Sequence, residues 1–141
     1  MVDPVRVVHA WLLLNAAFGL HFYEEATTGF LPIYNQTVAA IRARVPGLPL
    51  PAFSRRQWFT SIGAGVGLLL AITPGLFCAR HWANSVACIV SGVMIGNALL
   101  HIAGSIRGRT FQSVRFARPM PGFYSSPLLL AASLELLATL H

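Results

Sequence analysis

Long apolar stretches with few charges between them are the feature that most restricts how this chain folds. Three of them cover about residues 5–23, 58–78 and 82–104, and a shorter fourth covers 127–140, which can span a membrane if its helix starts near residue 123 and so covers about 123–140. A helix of roughly 20 apolar residues crosses the hydrocarbon core of a bilayer. The sequence therefore predicts a single all-α membrane domain over residues 1–141, an integral membrane four-helix bundle.

Charged residues make up only 10% of the 141 residues, against about 25% in an ordinary soluble domain. So few charges exclude intrinsic disorder and cannot cover a soluble surface. The formal net charge is +6, and all ten basic residues are arginines. Because they lie between apolar stretches, we interpret them as topology determinants that contact anionic lipid headgroups, with no nucleic acid partner. The absence of lysine indicates a GC-rich genome and hence a bacterial inner membrane.

The arginines also predict an orientation. Eight lie in the segments after the first and third stretches, and two lie on the opposite side. Positively charged loops stay in the cytoplasm, so these two segments are placed there, with both termini outside. The segment between the first two spans contains a predicted interfacial helix over residues 33–42. Three prolines, Pro46, Pro49 and Pro51, predict an irregular return after it.

Two clusters of polar residues lie within the apolar stretches. His21 is followed by Glu24 and Glu25 at the end of the first stretch. Residues three and four apart share one face of a helix, so His21 can meet both carboxylates. Asn97 and His101 lie four apart in the third stretch, at similar depth on the cytoplasmic side of an up-and-down bundle. Ionisable groups inside a membrane are costly unless paired, liganded or hydrated, which indicates a functional site.

Two imidazoles, two carboxylates and an amide suit a divalent first-row metal such as Fe, Mn or Zn, and helical bundles hold such sites between facing helices. We therefore predict metal ligation by His21, Glu24, Glu25, Asn97 and His101. The function predicted is that of a membrane-embedded enzyme acting on a lipophilic small molecule, such as an isoprenoid, a polyketide or a lipid. His21, Glu24, Glu25 and His101 are the expected catalytic residues.

Two other chemical functions fit the same residues, and a structural or regulatory membrane subunit is a further alternative. Without a metal, a buried Glu beside a His forms an acid–base pair, as an isomerase, cyclase or epoxide-opening enzyme requires. Sterol-isomerase-like membrane bundles have a similar site composition, which is an analogy only. A proton or metal-ion carrier is the other alternative, because intramembrane His and Glu also mark ion paths. The apolar outer halves of the second and third stretches argue against a continuous path.

Other residues in the stretches carry further expectations. Glu135 is a candidate proton donor or ligand if the fourth stretch buries it, and is solvated if that stretch lies on the membrane surface. Asn15 is expected to hydrogen-bond a neighbouring helix. Gly92 and Gly96 form a GxxxG step, which allows helices to approach closely. The two cysteines are expected to be unpaired packing residues.

The sequence His-Phe-Tyr-Glu-Glu at residues 21–25 resembles the signature of the HXXEE domain family of small integral membrane proteins. That family also has an Asn-x-x-x-His in a later span and a Pro-Gly turn before the last one, similar here to residues 97–101 and 121–122. An aromatic residue often precedes the family's turn, where this chain has Pro and Met. The resemblance implies no particular reaction. It implies functional roles for the same five residues, His21, Glu24, Glu25, Asn97 and His101.

Overall fold

The computed structural model describes residues 3–141, which are all helical apart from connecting segments and an isolated bridge between Arg109 and Arg115. The all-α prediction is therefore confirmed. The helices are α1 (Pro4–Thr28), α2 (Phe30–Arg44), α3 (Arg55–Ala71), α4 (Thr73–Phe77), α5 (His81–Arg107) and α6 (Ser126–Leu140).

Three segments are long and apolar enough to cross a membrane: α1, the combined α3–α4 segment Arg55–Phe77, and α5. They agree with the predicted membrane location. The fourth apolar helix, α6, has 15 residues. It is about 22 Å long at 1.5 Å per residue, whereas the hydrocarbon core is about 30 Å thick. The four-helix membrane bundle therefore stays a prediction.

The first helix is longer than the sequence indicated. It begins where the Asp3 side chain accepts a hydrogen bond from the backbone N–H of Val5, at 3.0 Å, which satisfies a free donor of the first turn. It ends at Gly29, whose φ of +87° is a left-handed conformation that glycine adopts without steric cost. Glu24 and Glu25 therefore lie inside the helix, with more than half a turn of helix after them.

The chain reverses at Gly29 and enters α2 directly. The helix predicted over residues 33–42 is present and extends over Phe30–Arg44, while its position at a membrane interface stays a prediction. An irregular segment follows α2, as the three prolines indicated. It is anchored by Asn35, which donates to the Phe53 carbonyl at 2.9 Å and accepts from the Phe53 N–H at 3.0 Å.

The buried face of α1 organises the packing. Val7, Trp11, Leu14 and Phe18 recur every three or four residues along it and are buried, the spacing of one helix face. The helix α6 packs against α1 and α5, and α3 and α4 pack against α1. The same buried face of α1 continues toward its C-terminal end, where it becomes polar.

Several expectations about packing are wrong. Gly92 and Gly96 are exposed, and a Cβ added to either would meet no atom within 4 Å. The small residues of α5 that are buried are instead Ala83, Ala87, Ser91, Ala98, Gly104 and Ser105. Asn15 is buried but donates to the Trp11 carbonyl of its own helix, at 2.9 Å, because that carbonyl is four residues earlier on the same face.

The remaining predictions concern Cys78, Cys88 and Glu135, which are all exposed. Cys78 and Cys88 are free, as predicted, but both are exposed rather than packed inside. Glu135 is also exposed on α6, beside a shallow depression that Arg6 and His9 line with it. Glu135 lies in the C-terminal half of α6. In the sequence it is far from the predicted cluster of His and Glu residues.

Candidate metal centre

Three buried side chains from two helices converge near the C-terminal end of α1. His21 and Glu25 lie one turn apart on α1, and His101 lies on α5. The Glu25 Oε1 atom is 3.0 Å from His101 Nε2 and 3.5 Å from His21 Nε2. Each side chain is at most 2% exposed, and the three ligand atoms lie within 4.8 Å of one another. This His21–Glu25–His101 group can hold a metal ion.

A backbone carbonyl fixes the tautomer of His101. Its Nδ1 atom is 2.6 Å from the carbonyl oxygen of Pro121. Because a carbonyl oxygen only accepts hydrogen bonds, Nδ1 carries the proton and donates it. The Nε2 lone pair is therefore directed toward Glu25. Metal-binding histidines show this same arrangement, in which the second ring nitrogen donates to a carbonyl or carboxylate.

Ser125 fixes the tautomer of His21. Its Oγ donates to Glu24 Oε2 at 2.5 Å, so its only proton is used, and it accepts from His21 Nδ1 at 3.0 Å. The Nε2 atom of His21 consequently carries a lone pair, which is the form of the ring that can act as a ligand. Glu24, Ser125 and His21 thus form a hydrogen-bonded chain that orients the imidazole from behind.

Glu24 is directed at the start of α6 rather than at His21. Its carboxylate accepts hydrogen bonds from the backbone N–H groups of Ser125 and Tyr124, at 2.7 and 3.1 Å. The N-terminus of a helix carries partial positive charge and unpaired N–H groups, and both favour a carboxylate there. Glu24 therefore joins α1 to α6 and takes no place among the ligand atoms.

Two acceptor atoms of the buried group face each other. Asn97 Nδ2 donates to His21 Nε2 at 3.1 Å, so that lone pair has a partner. His101 Nε2 and Glu25 Oε1 face each other as two acceptors, and Glu25 Oε2 has no hydrogen-bond partner among residues 3–141. Burying a carboxylate without compensation is strongly unfavourable. The pair therefore requires either a proton or a metal ion between its atoms.

Two of the three separations between ligand atoms in the group suit a metal ion. Nitrogen and oxygen ligands bind zinc at about 2.0–2.2 Å, so neighbouring ligand atoms lie about 2.9–3.5 Å apart at angles of about 90–110°. The separations of Glu25 Oε1 from the two Nε2 atoms, 3.0 and 3.5 Å, fall in this range. Three protein ligands leave coordination positions open, as in catalytic sites and unlike closed structural ones.

The turn between α5 and α6 covers both imidazoles. A Cβ added at Gly122 would stand 2.7 Å from His101 Nδ1 and 2.9 Å from His21 Cε1. The turn is held in place by Ser105, whose Oγ accepts from the Met120 N–H at 2.9 Å. Backbone packed this closely shields the group from solvent and restricts the positions of the two rings.

Aromatic residues form another wall of the site. The Phe30 ring lies 5.1 Å from the His101 ring and 5.8 Å from the Trp58 ring, centroid to centroid. Tyr34 stands beside Trp58 at 5.3 Å and donates from its hydroxyl to the Pro51 carbonyl at 3.1 Å. Burial raises the pKa of the Tyr34 hydroxyl above its ordinary value, although nearby Arg42 lowers it in part, so the hydroxyl stays protonated at neutral pH.

The structure brings four of the five predicted site residues together. His21, Glu25 and His101 form the ligand group, and Asn97 contacts it as a hydrogen-bond donor to His21. Glu24 differs from the prediction, because its carboxylate is saturated by hydrogen bonds from Tyr124 and Ser125. The two adjacent glutamates point about 100° apart around a helix, so only one of them faces α5.

Sequence reasoning missed Ser125 and the position of Gly122. The Pro-Gly turn was visible in the sequence, but its proximity to both imidazoles depends on how residues 108–125 fold back over α5. Ser125 follows the turn at the start of the last apolar stretch, where a serine is normally interpreted as a helix cap. Its side chain makes no capping bond to its own helix and contacts Glu24 and His21 instead.

The fold and the site define an all-helical protein with candidate membrane spans and a buried His–Glu–His group. Comparison with protein-family models, with curated proteins and with solved structures gives no match. The resemblance to the HXXEE family therefore stays a prediction, and function must be inferred from the geometry of the site.

Proposed function

We propose that the chain is a membrane-embedded, metal-dependent enzyme that acts on a lipophilic small molecule. The observation that supports this most is the buried His21–Glu25–His101 group, in which two oriented Nε2 atoms and a partly unsatisfied carboxylate converge. Two imidazoles and one carboxylate with open positions are typical of catalytic iron and zinc sites. Fe, Mn and Zn are the proposed ions.

The protein's own residues have distinct roles in this proposal. His21, Glu25 and His101 hold the ion, which supplies Lewis acidity to a bound substrate or water. The Pro121 carbonyl and the Ser125 hydroxyl hold each Nδ1 proton away from the ion. Asn97 Nδ2 donates to His21 Nε2, so an ion held by that nitrogen would replace this hydrogen bond and leave the amide available to a group bound beside it. The covering Gly122 turn excludes water from one side.

The lipophilic substrate is inferred from the surroundings of the site. His101 and Asn97 border a cavity of about 280 Å³ whose other walls include Phe30, Ile33 and Leu100. Apolar walls around a few oriented polar groups are typical of small-molecule sites. Isoprenoids, polyketides and lipids are the proposed substrate class. The distribution of arginines supports a site near the cytoplasmic face, and the absence of lysine supports a bacterial inner membrane.

Metal analysis of the purified protein tests the proposal. We expect about one equivalent of Fe, Mn or Zn per chain in the wild type. His21→Ala and Glu25→Ala each remove a ligand and should reduce the content to less than about a tenth, since even loss of a supporting hydrogen bond costs 10–100-fold in affinity. The matched control His81→Ala, at an exposed position, should keep the wild-type content. A well-folded wild type that binds none of these ions would refute the metal proposal.

Ser125 offers a second, independent prediction. Ser125→Ala removes the acceptor for His21 Nδ1 and one donor to Glu24 without touching a ligand atom. We expect metal affinity to fall about 10–100-fold, measured by competition with a chelator. Ser133→Ala is the control, because Ser133 is also buried on α6 and its Oγ donates to the Leu129 carbonyl of the same helix, at 2.7 Å. Equal losses in the two variants would show that Ser125 does not act through His21.

One observation favours a second candidate, acid–base chemistry without a metal. The separation of 3.0 Å between Glu25 Oε1 and His101 Nε2 also suits a shared proton, and such a pair can protonate and deprotonate a substrate. An isomerase, cyclase or epoxide-opening enzyme is then the proposed activity. Turnover that survives complete removal of metal by chelation, yet is lost in Glu25→Gln, would favour this candidate.

An ion carrier is the weaker alternative. A carrier needs polar groups through the depth of the protein. The buried face of α1 beyond His21 consists of Phe18, Ala17 and Leu14, and Asn15 bonds its own helix. This apolar face argues against a continuous path along α1 from the His21–Glu25–His101 group.

A further inference from the structure

The cavity beside the metal centre is elongated along two helices. Phe30, Tyr34 and Ile41 line it from α2, and His101, Ala103 and Arg107 line it from α5. On each helix the lining positions recur at spacings that place them on one face. From Phe30 to Ile41 the cavity follows α2 for about 16 Å at 1.5 Å per residue. An elongated ligand therefore suits it better than a compact one.

The two ends of the cavity differ in charge. Asn97 and His101 lie at one end, and Arg107 and Arg109 lie at the other. Neither arginine forms an ion pair with an acidic residue among residues 3–141. Arg118 adds positive charge there, because its guanidinium lies against Gly108, within 3.1 Å of where a Cβ would be. Grouped arginines without acidic partners favour an anion.

The distance between the two ends restricts how a ligand would lie. Arg107 follows His101 by six residues on α5, which is about 9 Å along the helix. A ligand with its anionic group at the arginines would extend its apolar chain between α2 and α5. Atoms of that chain about 9 Å from the anionic group would then lie beside His101.

We propose that the cavity binds a single-chain anionic amphiphile, with its carboxylate or phosphate at Arg107 and Arg109 and its aliphatic or isoprenoid chain directed toward His101. The identity of this ligand as a substrate rests on the proposed function. The inference narrows the substrate class, and it places the reacting carbon within the chain rather than at the anionic group. The arginines lie at the end of a candidate span, where an amphiphile from the lipid surface presents its headgroup.

Competition photolabelling in lipid nanodiscs tests this proposal. The probe is dodecanoate with a mid-chain diazirine, and the competitors are dodecanoate, dodecyl phosphate and neutral methyl dodecanoate. We expect labelled peptides from α2 and α5, and competition by one or both anions at concentrations at least about tenfold lower than the methyl ester, since bonds to charged groups contribute about 1.5–3 kcal/mol. The two anions compared with each other distinguish a carboxylate from a phosphate ligand.

Matched variants locate the binding. Ala103→Phe fills the cavity and should weaken dodecanoate binding at least tenfold, with Ala103→Val intermediate. Ala64→Phe, the same substitution at an exposed position of α3, should leave it unchanged. The double variant Arg107→Gln/Arg109→Gln should lose the preference for dodecanoate over its methyl ester. Arg44→Gln, an exposed arginine outside the cavity, should keep that preference.

Three results would overturn the proposal: equal competition by the ester, equal effects of Ala103→Phe and Ala64→Phe, or displacement of the probe by diacyl phosphatidic acid as effectively as by dodecanoate. The last would identify the occupant as a bilayer lipid. Metal content measured on the same samples separates this inference from the proposed function. If metal binds and the amphiphile does not, only the proposed amphiphile is refuted. If the amphiphile binds and metal does not, only the proposed metal site is refuted.

Discussion

Gly122→Ala is expected to destabilise the protein by roughly 2–5 kcal/mol, from steric overpacking together with strain at a positive φ. Gly122 has φ +89°, and its new Cβ would stand 2.7 Å from His101 Nδ1 and 2.9 Å from His21 Cε1. One or both imidazoles must move, which also breaks the ligand geometry. We therefore expect a large fall in the melting temperature together with loss of bound metal.

Gly47→Ala is the matched control for this prediction. Gly47 has nearly the same φ, +92°, but a Cβ there would meet nothing within 4 Å. The control therefore has the backbone strain without the collision, and the difference between the two variants measures the contact with the imidazoles. Similar melting temperatures and similar metal contents in both variants would show that the turn does not restrict His21 and His101.

Glu25→Gln is expected to abolish stabilisation by metal while leaving the metal-free protein about as stable as the wild type. An ion that binds only the folded state stabilises it by about 2.7 kcal/mol at a hundredfold excess over its Kd. In a chain of this size that raises the melting temperature by roughly 5–10 °C. Glutamine keeps the size of the side chain, removes a buried charge, and its amide can donate to His101 Nε2.

Thermal unfolding of metal-stripped protein, with and without added Zn²⁺, Mn²⁺ or Fe²⁺, provides the measurement. Glu135→Gln, the same substitution at an exposed glutamate, should keep the full metal-induced shift. Breaking a buried ion pair costs about 3–5 kcal/mol of folding stability. A large loss of stability in metal-free Glu25→Gln would therefore show that Glu25 and His101 form an ion pair on their own, as the acid–base alternative requires.

Much of the fold follows from local sequence. The apolar stretches predict helices because their length and composition suit one structure, and the three long segments appear where they were expected. The ends of the helices were less predictable. The first continued to Thr28, because helix formation stops at the left-handed Gly29 rather than at the last apolar residue. The glycines of the GxxxG step failed as a packing signal, since spacing alone does not say which face of α5 meets another helix.

Part of the candidate site also follows from local sequence, and part depends on how the helices pack. The spacing of His21 and Glu25 by itself determined that both lie on one helix face, and an ionisable group in an apolar stretch requires a partner whatever the fold. That Glu25, and not Glu24, meets His101 follows from the way the helices pack. Neighbouring residues on a helix point about 100° apart, and the position of α5 determines which of them is used.

The metal-binding side chains could be predicted from the sequence, whereas the groups that orient them could not. Residue type predicted that His21 and His101 can bind a metal, because imidazole is a ligand in any fold. The sequence could not show that Ser125 and the Pro121 carbonyl orient the two rings, because each contact joins residues far apart in the chain. The helices and the types of ligand can be predicted from the residues alone. Which ligand atoms converge cannot, since convergence depends on helix packing and on the turn that Gly122 makes over the rings.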